Sequence, residues 1–391
     1  MISVSEALTR VISLMSPVEE EVVPLAEAAG RVLSQTVHAK RTQPPFPASA
    51  MDGYAVRLAE SQPGMSLKVI GESAAGLRFD GILGANEAVR IFTGAPVPDG
   101  ADSILIQEDA NREGDTITVR EPRETKSYIR PAGTDFSEGD PMEAPRRLNP
   151  QDIALLASMN IAQVPVRKRP EIALIPTGNE LVNPGDTPGP DQIIASNSYG
   201  LKALFEAHGA ICRLLPIARD TRDSLKTCLD LARDCDLIVT LGGASVGDHD
   251  LVQSVATEGG MALDFYKVAM RPGKPLMAGT LHGVPMVGLP GNPVSAMVCG
   301  QIFLLPALNA LLGLPAGPMA TQEVTLAHDI SANGPREHYM RARLEAGQCS
   351  VFDRQDSSLL SVLGQANALA VRLPHAPPAN KGETISVIVL N

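Results

Sequence analysis

The spacing of apolar positions changes character several times along the 391-residue chain. Val4, Leu8, Val11, Ile12 and Met15 recur at helical spacing, which predicts a helix over residues 3–15. VPLAEAAGRVLSQTV then runs into a Pro-rich stretch, RTQPPFPASAMDGYA, that reads as a linker. From about residue 65 to 145 short β-like runs (LKVIGES, EAVRIFTG, SILIQED, TITVREP) alternate with Gly, Pro, Asp and Asn, predicting a small antiparallel domain. PQDIALLASMNI returns to helical periodicity, and AQVPVRK follows as a short strand.

Between residues 170 and 312 strands and helices alternate. EIALIPTG is followed by a helix from Ser196 through His208, ICRLLPIA by a helix from Thr221 through Cys235, and DLIVTLGG by a helix near Asp250–Glu258. A strand through Phe265–Val268, the strand VPMVGLPG and a helix from Val294 complete the series. Alternation of this kind predicts a mostly parallel sheet covered by helices on both faces, with ligands beyond the carboxyl ends of the strands. Residues 320–391 revert to short β-like runs. The expected architecture is a multidomain α/β and β chain: a discontinuous N-terminal domain (1–40 plus 141–168), an inserted small β domain (41–140), a central mostly parallel three-layer α/β domain (169–318) and a C-terminal β domain (319–391).

Composition narrows the function classes. With 44% apolar and 20% charged residues the chain has what a globular core needs. The longest apolar run, Val294 to Leu312, is interrupted by Gln301, Pro306 and Asn309, so no membrane span is expected. The N-terminus lacks a signal pattern, and a cytoplasmic protein is expected. A net charge of −11 argues against a broad nucleic-acid-binding face. The five cysteines are scattered without a CxxC pair and read as reduced packing residues, and the seven histidines show no HExxH-like spacing.

Chemistry concentrates at predicted strand ends. The run Asp236–Thr240 opens into TLGGASVGDHD, where Gly242, Gly243 and Ser245 let backbone N–H groups approach an anion. Of Asp248 and Asp250, one serves to cap the next helix and the other is then free to hold a divalent cation such as Mg²⁺. IPTGNEL brings Glu180 to a neighbouring strand end. LPGNPVSAM places Asn292 as N-cap, Pro293 at the first helical position and Ser295 in the first turn, where free N–H groups suit an oxyanion. KVAMRPGKP gathers Lys267, Arg271 and Lys274 around a Pro-Gly turn in an otherwise acidic chain. Alone, each is an ordinary turn or a well-capped helix; four at one sheet edge form a pocket. Outside this region, Asp52 and Thr93 lie in turn-forming sequence.

With these residues assembled, the whole chain resembles the molybdopterin molybdenumtransferase family, MoeA, which includes the C-terminal domain of gephyrin. The resemblance rests on PPFPASAMDGYA, RIFTGAPVPDGAD, IRPAGTD, IPTGNEL with the following ASN, TLGGASVGDHD, RPGKP, GLPGNPVS and SSLLSVLGQAN. It implies an elongated, four-domain homodimer that takes adenylated molybdopterin and molybdate, releases AMP with Mg²⁺ as cofactor and delivers molybdenum cofactor. It also implies an active site formed between the α/β domain of one subunit and the inserted and C-terminal domains of the other. An upstream molybdopterin adenylyltransferase and downstream molybdoenzymes or their chaperones follow as partners.

Asp52, Thr93, Glu180, Asp220, Asp250, Lys267 and Lys274 match functional positions of the family, and so do Ser295, Arg336 and Ser357. Asp250, with Glu180 or Asp220, is the implied Mg²⁺ set. Three departures stand out. TGDE appears here as TGNE, KPGKP as RPGKP, and Gly-Arg-x-Glu-Phe-x-Arg as GPREHYMR, which leaves Arg336 and Arg341 as competing anion ligands and the glutamate either replaced by His338 or shifted to Glu337. Two alternatives are a pyrophosphatase like the CinA family, which shares the strand-TGxEL…N module, and a gephyrin-like dimeric scaffold without catalysis.

Overall fold

The computed structural model describes residues 1–120, 126–243 and 251–390. Its first helix, Val4–Ser13, starts where Ser3 Oγ accepts the Glu6 N–H at 3.1 Å, a side-chain cap for one of the four unpaired N–H groups. Its apolar face, Val4, Ala7, Leu8 and Val11, is buried against Leu305 and Leu308 of the α/β core.

Segments on either side of residues 41–140 meet in one sheet, ordered Glu20–Pro24, Gln163–Arg167, Val32–Leu33, Arg146–Arg147. The intervening β region forms a six-stranded sheet in which Ser66–Ser73 runs parallel to Glu87–Ile91, so it is mixed where the short runs predict a purely antiparallel one. Short strands carry no direction signal, and a crossover of this kind leaves no mark on alternation.

The α/β sheet is ordered Ile211–Leu214, Glu171–Pro176, Leu237–Leu241, Val284–Leu289, Met277–Leu281, Ala262–Tyr266. The first four strands are parallel, and Met277–Leu281 runs antiparallel to both its neighbours, so Ala262–Tyr266 shares the direction of the first four. Asn197–Ala207 and the Pro293–Leu311 helical run cover one face, while Arg222–Asp230 and Leu251–Glu258 cover the other, giving the expected three layers. Although Pro293–Leu311 has the length and apolarity of a membrane span, most of it is buried in this core.

Three elements differ from the sequence expectation, the first being the strand expected at Phe265–Val268, which runs over Ala262–Tyr266. The helix after Thr221 ends at Asp230, because the chain tightens into i to i+3 bonds from Ala232 N–H to Leu229 and from Cys235 N–H to Ala232 before rising into the next strand. Met277–Leu281 is a strand that small residues hide from a β-propensity reading. His282 and Gly283 turn it back on Val284–Leu289 with φ of 53° and 84°, the left-handed pair that a two-residue hairpin needs.

The C-terminal sheet closes into a barrel, since Ala368–Arg372 pairs with both Glu337–Glu345 and Thr384–Val389. Met270–Arg271, from the RPGKP loop, pairs in parallel with the start of Glu337–Glu345. The cationic loop of the α/β layer is thereby bonded to the barrel.

Candidate functional site

Three neighbouring parallel strands end side by side at Pro176, Leu241 and Leu289. Beyond them opens a cavity of about 1290 Å³, lined by Thr177, Gly178, Glu180, Asp220, Gly242, Gly243, Lys274, Asn292 and Pro293 among others. Five of the residues expected at the site therefore share one space: Glu180, Asp220, Gly242, Gly243 and Lys274.

Its acidic wall is built by two loops bonded to each other. Asn179 N–H donates to the Asp220 carboxylate at 3.2 Å, and Asn179 Oδ1 accepts the Asp220 N–H at 3.1 Å. The asparagine that departs from TGDE thus orients Asp220 without adding a charge. Arg219 Nη1 reaches the carbonyls of Gly178, Asn179 and Leu181 at 3.3, 3.2 and 2.9 Å, which holds the Glu180 loop against the Asp220 loop. Sequence reasoning passed over this arginine, whose one signal is its position directly before Asp220. Gly242 and Gly243 both have positive φ, 100° and 69°, and Gly242 packs so tightly on Thr177 that a Cβ would stand 2.7 Å from its carbonyl oxygen. Ser245, Asp248 and Asp250 lie outside the described residues.

The remaining wall was not anticipated. Leu181, Ile193 and Ile194 line it, with Ile193 at 59% exposure, an unusually open apolar surface that suits a flat heteroaromatic ring. Asn197 Nδ2 donates to the Gly291 carbonyl at 2.7 Å and fixes the PGNP turn.

At the helix start the structure corrects the capping expectation. Asn292 stands at the N-cap position, yet its side chain makes no cap bond. Its Nδ2 instead donates to Ser357 Oγ at 2.9 Å, and the Ser357 carbonyl takes the Val294 N–H at 3.0 Å. The barrel therefore supplies the cap. Ser295 is buried in the first turn. Ser358, beside Ser357, lines the cavity.

Each of the three cations of KVAMRPGKP has its own neighbours. Lys274 lines the cavity. Lys267, at φ 71°, lays its ammonium 4.6 Å from the Tyr266 ring centroid. Arg271 faces His338 across the strand pairing to the barrel. The short strand of this loop follows a tertiary pairing that spacing alone does not encode.

Arg336 Nη1 points to the Met270 carbonyl at 3.4 Å. Arg341 has 0% exposure, and its Nη2 donates to the carbonyls of Asp356 and Arg354 at 3.0 and 3.4 Å. Burial pushes its guanidinium down to about 10, with the Arg271 charge adding to the effect. His338, 6% exposed, is pushed down to about 4 by burial first and then by Arg271, Arg341 and Arg336, so it is neutral near pH 7. Its unfolded value is about 6.5, and the unfolded chain binds this proton while the native one does not. The sign follows: stability is full above pH 6.5 and falls as pH drops toward 4, by roughly 3 kcal/mol from this group. Urea unfolding at pH 7 and pH 4.5 should show His338→Gln losing less stability than the parent; equal losses would refute the assignment.

Asp52 and Thr93 come together although 41 residues separate them. Thr93 N–H and Oγ1 both donate to Asp52 Oδ1, at 2.7 and 2.9 Å, and these bonds hold the carboxyl below the usual range. The pair does not line the large cavity of its own chain.

Glu180 and Asp220 offer hard oxygen donors in one cavity, and a Mg²⁺ ion needs only one or two carboxylates beside substrate phosphates and waters. Among the described residues no group of three acidic, His or Cys side chains is placed to hold a metal ion.

Comparison with known proteins bears on the whole arrangement. Residues 2–160 match the model of the MoeA N-terminal region (domain I and II), residues 173–310 the probable molybdopterin binding domain, and residues 323–390 the MoeA C-terminal region (domain IV). The chain is 35% identical to the molybdopterin molybdenumtransferase of Haemophilus influenzae, over 100% of this chain and 99% of the relative. It is also 35% identical to molybdopterin molybdenumtransferase 2 of Mycobacterium tuberculosis, over 94% and 95%. A crystal structure of the MoeA protein of molybdopterin biosynthesis from Pyrococcus horikoshii superposes with a TM-score of 0.85 at 27% identity, covering 100% of both chains. On these grounds the chain is an enzyme that belongs to the molybdopterin molybdenumtransferase family, with the multidomain α/β and β fold that the family's solved members share.

Proposed function

We propose that the chain inserts molybdate into adenylated molybdopterin and releases AMP, giving molybdenum cofactor. The observation that carries this reading is one cavity with Glu180 and Asp220 on one wall and Lys274 and the Asn292–Pro293 helix start on another. A phosphoanhydride needs a hard cation near its phosphates, and a tetrahedral oxyanion needs cationic and N–H donors. The exposed Ile193 and Ile194 give the ring system of the substrate an apolar face.

Mg²⁺ held by Glu180 and Asp220, with Asp250 as a further ligand, would offset charge on the departing AMP. Lys274 draws the anionic substrates into an acidic protein, and Ser295, Arg336 and Ser357 hold molybdate, with Lys267 and Arg271 adding to the local field. Gly242 and Gly243 keep the floor low enough for phosphate to approach the backbone. Positioning and electrostatics carry the reaction, since no nucleophile paired with a base lines the cavity among the described residues.

Asp52 and Thr93 form a preset carboxylate-hydroxyl pair that does not line this cavity, which supports a homodimer in which the partner chain supplies them. An adenylating enzyme must precede this one, and molybdoenzymes or their chaperones receive its product. The chain acts in the cytoplasm on this reading.

The test is AMP release from adenylated molybdopterin with Mg²⁺, with and without molybdate. Release that depends on molybdate and yields cofactor able to activate an apo-molybdoenzyme supports the proposal. Release indifferent to molybdate would replace it with a nucleotide pyrophosphatase, and no release with a scaffold.

A further inference from the structure

Behind the anion end of the cavity lies positive charge that the described residues offset only in part. Arg341 is fully buried, and its Nε and Nη1 have no hydrogen-bond partner among the described residues. His338 is buried with Nε2 likewise unpartnered there. Arg271 sits opposite His338 in the strand register, and Arg336 lies close enough, with Arg341, to act on its imidazole.

Of the nearby acids, Asp356 is close enough for its charge to act on Arg341, but among the described residues the hydrogen bonds of Arg341 go to main-chain carbonyls and not to a carboxylate. Glu337 accepts the Tyr339 hydroxyl at 2.6 Å, and the Asp356 carboxylate accepts the Ser358 N–H and hydroxyl at 2.8 and 2.6 Å. Leaving two donor nitrogens of a buried guanidinium without partners is costly, and orphaned donors call for a reason.

Position supplies the reason. Arg341 binds the carbonyls of Arg354 and Asp356, one residue before Ser357, and Gln355 ties the same loop back through bonds of 3.0 and 2.9 Å to the Arg341 main chain. Ser357 in turn meets Asn292 and Val294 at the helix start. The partly offset charge therefore stands directly beneath the place where the proposed function puts an oxyanion.

We propose that His338 is the specificity-determining residue of this subsite: an imidazole where a carboxylate could stand, paired in register with Arg271 and next to Arg336 and Arg341, it leaves in place the positive charge that selects a doubly charged tetrahedral oxyanion over a singly charged one. A carboxylate at this position would neutralise one of the three guanidiniums and lower the attraction for a dianion. The inference rests on the transferase reading, because it takes molybdate as that dianion.

The experiment uses the purified full chain. His338→Glu is expected to raise the KM for molybdate roughly tenfold or more, while kcat for AMP release at saturating molybdate stays within a few-fold, as a unit charge at this range predicts. His338→Gln, neutral like the imidazole, restores the low KM. In the unaltered protein sulfate should compete with molybdate far better than perchlorate, a measurement that needs no variant to fold. An unchanged KM in His338→Glu, or equal competition by the two anions, would overturn the proposal. Calorimetric titration with molybdate alone separates this failure from that of the transferase reading: binding weakened by His338→Glu supports the inference even if AMP release is absent, and equal binding refutes it.

Discussion

Lys274→Ala is expected to lower molybdate-dependent AMP release about 100-fold while leaving the melting temperature unchanged. The main chain at this position is anchored without the side chain, since the Lys274 carbonyl accepts the Val268 and Leu276 N–H groups at 3.0 and 3.1 Å. Its ammonium makes no ion pair among the described residues, so truncation orphans no buried partner. What disappears is a positive charge facing the cavity of an acidic protein, where it acts on anions in every state of the reaction. Lys274→Arg should recover part of the activity, because it keeps the charge but spreads it over a planar fork. Mixing Lys274→Ala with Asp52→Asn under conditions that exchange subunits should recover activity that neither variant has, since a mixed dimer carries one site with both groups intact. No recovery on mixing would place Asp52 and Lys274 in the same chain's site.

Gly242→Ala is expected to destabilise the protein by roughly 3 kcal/mol or more and to abolish AMP release. At φ 100° an alanine is strained, and its Cβ would stand 2.7 Å from the Thr177 carbonyl oxygen. Thr177 has little room to retreat, because its N–H and Oγ1 both bond the Leu241 carbonyl, at 2.9 and 3.3 Å. Any relief moves the loop that carries Glu180. Gly317→Ala is the matching control, with nothing within 4 Å of an added Cβ and no left-handed φ. Thermal melts of both variants decide the point: a Gly242→Ala protein as stable as Gly317→Ala would show that the close approach is not required.

Much of the site was legible because its chemistry follows strand ends. Periodicity located Glu171–Pro176, Leu237–Leu241 and Val284–Leu289, and parallel strands joined by helices must end on the same edge, so Glu180, Gly242 and Gly243 were bound to meet. The cations were less legible. Lys267, Arg271 and Lys274 are close in sequence, but only the fold shows that Arg271 pairs with the barrel and that Lys267 lies over the Tyr266 ring. The missed strand Met277–Leu281 shows the same limit, because its partners rather than its own residues make it a strand.

The sequence by itself determined the order of the domains' elements, the alternation that makes a three-layer α/β unit, and the polar strand-end loops, because these depend on local periodicity and turn chemistry. Only the tertiary structure decided which partner each polar group takes. Asp52 meets Thr93 across 41 residues, Ser357 replaces the side-chain cap of Asn292 across 65, and Asn179 locks onto Asp220. It also decided that Arg341, one of two candidate anion ligands, is fully buried. Hydrogen bonds and burial of this kind join residues far apart in the chain, and their strength depends on the water excluded around them, a quantity that exists only once the chain has folded.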